Sequence, residues 1–173
     1  IALSDSPFIR RGGDPRGMTE AVRALLALGG ERVREAVSPR TRLLVLNSPH
    51  NPTGSVLTAE DITALKAIAG QGDFLILSDE VYEHIVFDGR KHASMVRDPD
   101  LRRRSFVVSS FGKTYHATGW KIGYCLAPAA LTTELRKVHQ FVSFVAVTPV
   151  QLAVADFMQA EPHYPAGLSA FYQ

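Results

Sequence analysis

The chain has 173 residues, 46% hydrophobic and 21% charged, with a formal net charge of +2. That size suits one core, and the near-neutral charge argues against nucleic acid or an anionic membrane as partner. The lone Cys125 excludes an intrachain disulfide framework.

In chain order, "DSPFIRRGGDPRG" (5–17) reads as loop. "TEAVRALLALGG" (19–30) reads as a helix with Thr19 as its cap. "TRLLVLN" (41–47) is a short continuous apolar run, which predicts a strand buried on both faces. The turn-rich "SPHNPTGS" follows. Thr58 and Asp61 then form a capping-box pattern ahead of Ile62, Leu65, Ile68 and Ala69 at helical spacing. "FLILS" (74–78) predicts a second strand and "SFVVSS" (105–110) a third. "IGYCLA" (122–127) predicts a fourth, with Cys125 as a small core residue. "ALTTELRKVHQFVSF" and "PVQLAVADFM" predict two closing helices. Strands alternating with helices imply an α/β fold with a mainly parallel sheet flanked by helices. Arg102, Arg103 and Arg104 read as a solvated turn, since no aromatic residues interleave with them.

No apolar run approaches the ~18 residues of a membrane span and no signal-like segment opens the chain, so a cytoplasmic location is expected. The chain opens on an apolar run without an initiator Met, and reads as a piece of something longer.

Ligands of open α/β sheets bind beyond the carboxyl ends of the strands. The first predicted strand leads to Asn51, the second to Asp79 and Tyr82, the third to Ser110 and Lys113. Three polar strand ends in succession suggest one pocket. Pyridoxal 5′-phosphate suits these groups: an amine for its aldehyde, a carboxylate for its pyridine nitrogen, donors for its O3′ oxygen, and a hydroxyl and a cation for its phosphate. His84, His92, His116 and His139 lack metal-ligand spacing and read as structural or solvated. Gly112 and Gly119 read as tight-turn residues, and Tyr115 and Trp120 as packing, with a place at the border of the substrate pocket as the alternative for either. A nucleotide-binding α/β protein is disfavoured because no strand leads into G-x-G-x-x-G or a P-loop.

"NSPHNPTG", "SDEVYEH" and "SSFGKTYHATGWKIGY" together resemble the aminotransferase class I/II family of fold-type I pyridoxal phosphate enzymes, most nearly its kynurenine and methionine aminotransferase group. The resemblance runs from about Thr41 to Met158 and implies that 1–173 is the central part of the cofactor-binding large domain. An N-terminal segment, the small domain and its carboxylate-binding arginine would lie outside it; residues 5–35 match poorly. It implies that Lys113 is the catalytic lysine and forms the Schiff base. Asp79 would pair with the pyridinium, Asn51 and Tyr82 would bond O3′, and Ser110 and Lys121 would bind the phosphate. A lysine at 121, where many members have arginine, supports the kynurenine-type group. The implied function is transamination between an amino acid of methionine, glutamine or aromatic type and a 2-oxo acid, by a homodimer. A cysteine-conjugate β-lyase using the same site, or an inactive cofactor-binding fragment, are the alternatives.

Overall fold

The computed structural model describes residues 31–173. The loop and helix expected over 5–17 and 19–30 lie outside the described residues. After a short helix α1 (Glu31–Ala36), strand β1 (Leu43–Asn47) leads through the turn-rich loop to α2 (Ala59–Ala69) and β2 (Leu75–Asp79). A polar stretch and the short α3 (Pro99–Arg102) precede β3 (Ser105–Ser110). One turn of helix, α4 (Phe111–Thr114), and a 3-10 turn (Thr118–Trp120) connect to β4 (Gly123–Leu126). Helices α5 (Ala129–Val142) and α6 (Thr148–Ala160) follow, and α7 (Leu168–Tyr172) is the last.

The sheet order is β1-β2-β3-β4, with β1–β2 and β2–β3 parallel and β3–β4 antiparallel. The expected α/β class and mainly parallel sheet are therefore present. Register places Asn47 opposite Asp79 and Asp79 opposite Val108, so the parallel strands end at one level.

Helix α2 starts where its capping box puts it. Thr58 Oγ1 accepts from Asp61 N at 3.2 Å, and Asp61 Oδ2 accepts from Thr58 N at 2.8 Å. Its buried side chains Leu65, Ile68 and Ala69 pack with Leu44, Ile76 and Val107 of the strands, and with Met95 and Leu101. This is the core, and it lies on one face of the sheet. Lys66 ties α2 to the α3 region through Asp98 (2.9 Å) and Asp100 (3.4 Å).

Several expectations change here. Strand β1 is not buried on both faces among the described residues: Leu43 is 38% and Val45 43% exposed. Alternation puts these two side chains on the face opposite the core, which no described helix seals. Cys125 is half-buried in the partly exposed β4 rather than a core residue. Arg104 is not solvated; its Nη1 donates to Ala69 O, Gly72 O and Phe74 O, closing the carboxyl end of α2 against the start of β2. Arg102 and Arg103 are exposed as expected. Among the described residues, no helix is long and apolar enough to cross a membrane.

Candidate active site

The three parallel strands deliver their polar ends to one place. At the end of β1, Asn47 donates through Nδ2 to Asp79 O (3.2 Å) and accepts through Oδ1 from Asn51 N (3.0 Å). One side chain thereby fixes the entry of the Asn51 loop against the end of β2. That loop is bonded internally: His50 Nδ1 meets Thr53 Oγ1 at 2.9 Å, Thr53 donates to Ser55 Oγ, and Ser48 Oγ accepts from Leu57 N. Burial pushes His50 below its ordinary pKa. The Ser48–Pro49 and Asn51–Pro52 peptides are cis.

Asn51 Nδ2 donates to the Tyr82 hydroxyl at 3.4 Å. The Lys113 ammonium lies over the Tyr82 ring, 5.6 Å from its centroid. Asn51, Tyr82 and Lys113, which come from three different strand ends, thus meet around one phenol. Among the described residues, Lys113 makes no ion pair with a carboxylate, which leaves its amine available. Asp79 has one oxygen fixed by Val81 N at 3.2 Å. Ser110 caps α4, its Oγ accepting from Gly112 N (3.1 Å) and donating to Ile122 O (3.3 Å). Phe111 N donates to the same Ile122 carbonyl. Lys121, exposed and in the left-handed conformation at φ 52°, thus stands one residue from a carbonyl that bonds Ser110.

Gly112 is required by a close approach, since a Cβ there would lie 2.9 Å from Thr118 Cα. Gly119 is not: no atom lies within 4 Å of a Cβ at that position, and its backbone is not left-handed. Tyr115 packs as expected, stacking against Phe111 and meeting Phe157 and Tyr164 edge-on or tilted. Trp120, expected to pack, is 55% exposed among the described residues.

A second polar group, not anticipated from sequence, lies on the core face behind Asp79. Successive strand residues point to opposite faces, so Glu80 turns inward where Asp79 turns outward. Glu80 is 1% exposed and accepts from Ser78 Oγ (2.9 Å) and Met95 N (3.0 Å) through one oxygen and pairs with His92 Nε2 (2.7 Å) through the other. Glu83 Oε1 accepts from both Ser109 Oγ (2.8 Å) and Tyr124 OH (2.6 Å). Burial, reinforced by the bond to Glu83, pushes the Tyr124 phenol up to about 12, so it remains a donor. Glu80, Glu83 and His92 bring ligand atoms within 4.8 Å of one another; both carboxylates and His92 Nε2 already have protein partners, while His92 Nδ1 is buried without one among the described residues. The signal for this network was the alternation of "SDEVYE" across two faces; the motif alone does not say what each face meets.

Residues 20–168 match the family model for aminotransferase class I and II. The chain belongs to the aminotransferase class I and II family. It is 54% identical over 138 residues to a methionine aminotransferase of Escherichia coli (strain K12), covering 79% of this chain and 36% of that protein. It is 39% identical over 137 residues to kynurenine–oxoglutarate transaminase 1 of Mus musculus, covering 79% of this chain and 32% of that one. A crystal structure of an Escherichia coli protein with a methionine aminotransferase function superposes with a TM-score of 0.80 at 49% identity, over 82% of this chain and 38% of that chain. The chain spans about a third of the length of the curated relatives it matches. The resemblance to the methionine and kynurenine members thus holds, and members of the family use pyridoxal phosphate.

Proposed function

We propose that this chain is the cofactor-anchoring part of the large domain of a pyridoxal phosphate-dependent aminotransferase. It would move an amino group between an amino acid of methionine, glutamine or aromatic type and a 2-oxo acid. The observation that carries this reading is the meeting of Asn51, Tyr82 and Lys113 around one phenol, at the carboxyl ends of the strands. Similarity to a methionine aminotransferase and to a kynurenine transaminase supports the substrate class. The aminotransferase names of both relatives favour transamination over β-lyase chemistry.

The donor set suits the cofactor chemically. Lys113 supplies an amine with no competing carboxylate among the described residues. Asp79 supplies an anion for the ring nitrogen, with one oxygen already oriented by Val81 N. Tyr82 and Asn51 supply donors for O3′. Ser110 and Lys121, near each other through Ile122, supply a hydroxyl and a cation for the phosphate. Bound there, pyridoxal phosphate provides an aldehyde that captures amines and a cationic ring that accepts the electron pair left at the substrate Cα.

The residues then have separable tasks. Asp79 would keep the ring nitrogen protonated, because an anion beside it favours the charged form. Tyr82 and Asn51 orient the ring through O3′. Lys113 would hold the proton taken from the substrate Cα and return it, as general base and acid. Lys121 offers the phosphate a point charge rather than a bidentate fork. Assembly as a homodimer in the cytoplasm belongs to the same reading.

The test is covalent trapping. The chain is mixed with pyridoxal phosphate, its visible absorption recorded, and the adduct reduced with borohydride and mapped by mass spectrometry. The pyridoxyl group is expected on Lys113. Label on Lys121, or spread over surface lysines, overturns the assignment. Transfer of the methionine amino group to a 2-oxo acid tests the substrate class.

A further inference from the structure

The network behind the sheet bears on the site in front of it. Tyr82 sits in a run of turns after β2 in which Glu83 N donates to Glu80 O and Ile85 N donates to Tyr82 O. The run is pinned on both sides of Tyr82, and beyond it Val86 N donates to Ser169 Oγ, which donates to His84 O. Glu80 N donates to Val108 O, and its carboxylate is held by Ser78, His92 and Met95. Glu83, the residue after Tyr82, reaches Ser109 of β3 and Tyr124 of β4 with a single oxygen.

Ser109 and Tyr124 are themselves opposed across the β3–β4 pairing, beside the Ser110–Gly123 pair. The two hydroxyls therefore reach Glu83 from a rigid base. Ser109 immediately precedes Ser110, and β3 runs straight into the turn that carries Lys113. One carboxylate thus spans the two halves of the site: the Tyr82 turn on one side and the strand leading to Ser110 and Lys113 on the other.

We infer that Glu83 is a positioning residue that sets the Tyr82 hydroxyl relative to Lys113, an inference that rests on the cofactor reading above. Without its clamp on Ser109 and Tyr124, the turn would keep its anchors at Glu80 and at Ser169 but lose the one next to Tyr82. Tyr82 would then lose its fixed distance to Asn51 and Lys113. A donor aimed at O3′ favours the deprotonated oxygen, so a mislaid Tyr82 raises the pH at which the bound cofactor changes its visible absorption.

The experiment follows that absorption against pH in the chain loaded with pyridoxal phosphate, together with the cofactor dissociation constant and the urea midpoint. Relative to the unsubstituted chain, Glu83→Ala is expected to raise the spectroscopic midpoint by about one pH unit and to weaken cofactor binding. Tyr124→Phe and Ser109→Ala, each removing one of the two donors, shift it in the same direction by less. Glu83→Gln keeps an oxygen that accepts both hydroxyls and restores the midpoint. If Glu83→Ala does not fold, the Tyr124→Phe and Ser109→Ala pair carries the test. A lower urea midpoint with an unshifted spectrum in these variants makes Glu83 merely structural and overturns the inference. Absence of a Lys113 adduct in the unsubstituted chain instead overturns the cofactor reading, and this inference with it.

Discussion

The Lys113 ammonium is 5.6 Å from the centroid of the Tyr82 ring, and the same tyrosine's hydroxyl accepts from Asn51. Ring and hydroxyl therefore act on different partners and can be separated. Tyr82→Phe keeps the ring contact, worth about 0.5–1 kcal/mol at a partly exposed site. The pyridoxyl group is expected to remain on Lys113 in this variant, while the spectroscopic pH midpoint rises by about one unit. An unchanged midpoint in the Tyr82→Phe titration would remove the hydroxyl from the O3′ role.

Glu80 is expected to be among the most sensitive side chains of the core. Replacing it with alanine leaves Ser78 Oγ, Met95 N and His92 Nε2 without their acceptor in a buried setting. Breaking a buried pair at one partner costs roughly 3–5 kcal/mol. Urea unfolding of Glu80→Ala should show a loss of that order. A loss no larger than that of an exposed substitution would mean that the network contributes little.

The same residue predicts acid lability. Burial pushes the Glu80 carboxyl up, but the bonds from His92 and the Met95 N–H outweigh it and hold the group below the ordinary carboxylate range. Its native value thus lies under its unfolded value. The stability it contributes is fully present above the ordinary glutamate pKa and is lost as pH falls through the lowered one. Glu80→Gln should flatten the acid side of the stability-versus-pH curve, as read by thermal unfolding across that range. A curve parallel to that of the unsubstituted chain would contradict this.

Two glycines in the Lys113–Tyr124 segment should answer alanine in opposite ways. A Cβ at Gly123 would lie 2.5 Å from Ser109 O, inside the β3–β4 pairing, and the backbone there has no room to yield. Gly123→Ala is expected to cost about 1–3 kcal/mol, possessing no compensating contact. Gly119→Ala meets open space and should stay within about 0.5 kcal/mol of the unsubstituted chain. Urea midpoints of the two variants, measured side by side, check the contrast.

The parts of the fold that were legible in the sequence share a physical cause: they are written in local chemistry. Continuous apolar runs bounded by turns located the four strands among the described residues, because a strand's apolar content and its punctuation are contiguous. The Thr58–Asp61 box located the start of α2, because a cap is a contact three residues long. The shared placement of the candidates Asn51, Asp79, Tyr82, Ser110 and Lys113 was legible because strand-terminal polar residues face the same end of a parallel sheet wherever they fall in the chain. Trp120 and Arg104 were misread, and the open space beside Gly119, which does sit in the 3-10 turn, was not legible. Whether an aromatic is covered, a glycine crowded or a guanidinium bonded depends on neighbours far away in sequence.

The amino-acid sequence by itself determined the α/β class, the strand ends that carry the candidate residues and the family to which the chain belongs. Tertiary structure alone decided what stands behind those strand ends. The alternation of β2 continues into the residue after it, so Asp79 and Glu80, adjacent in sequence, enter different environments. Asp79 turns toward the proposed cofactor side. Glu80 enters the core face, where His92 and Met95 meet it. Ser109 and Tyr124 meet on Glu83 only because β3 and β4 pair in one register, and a slip of one strand by one residue would leave the two hydroxyls on opposite faces.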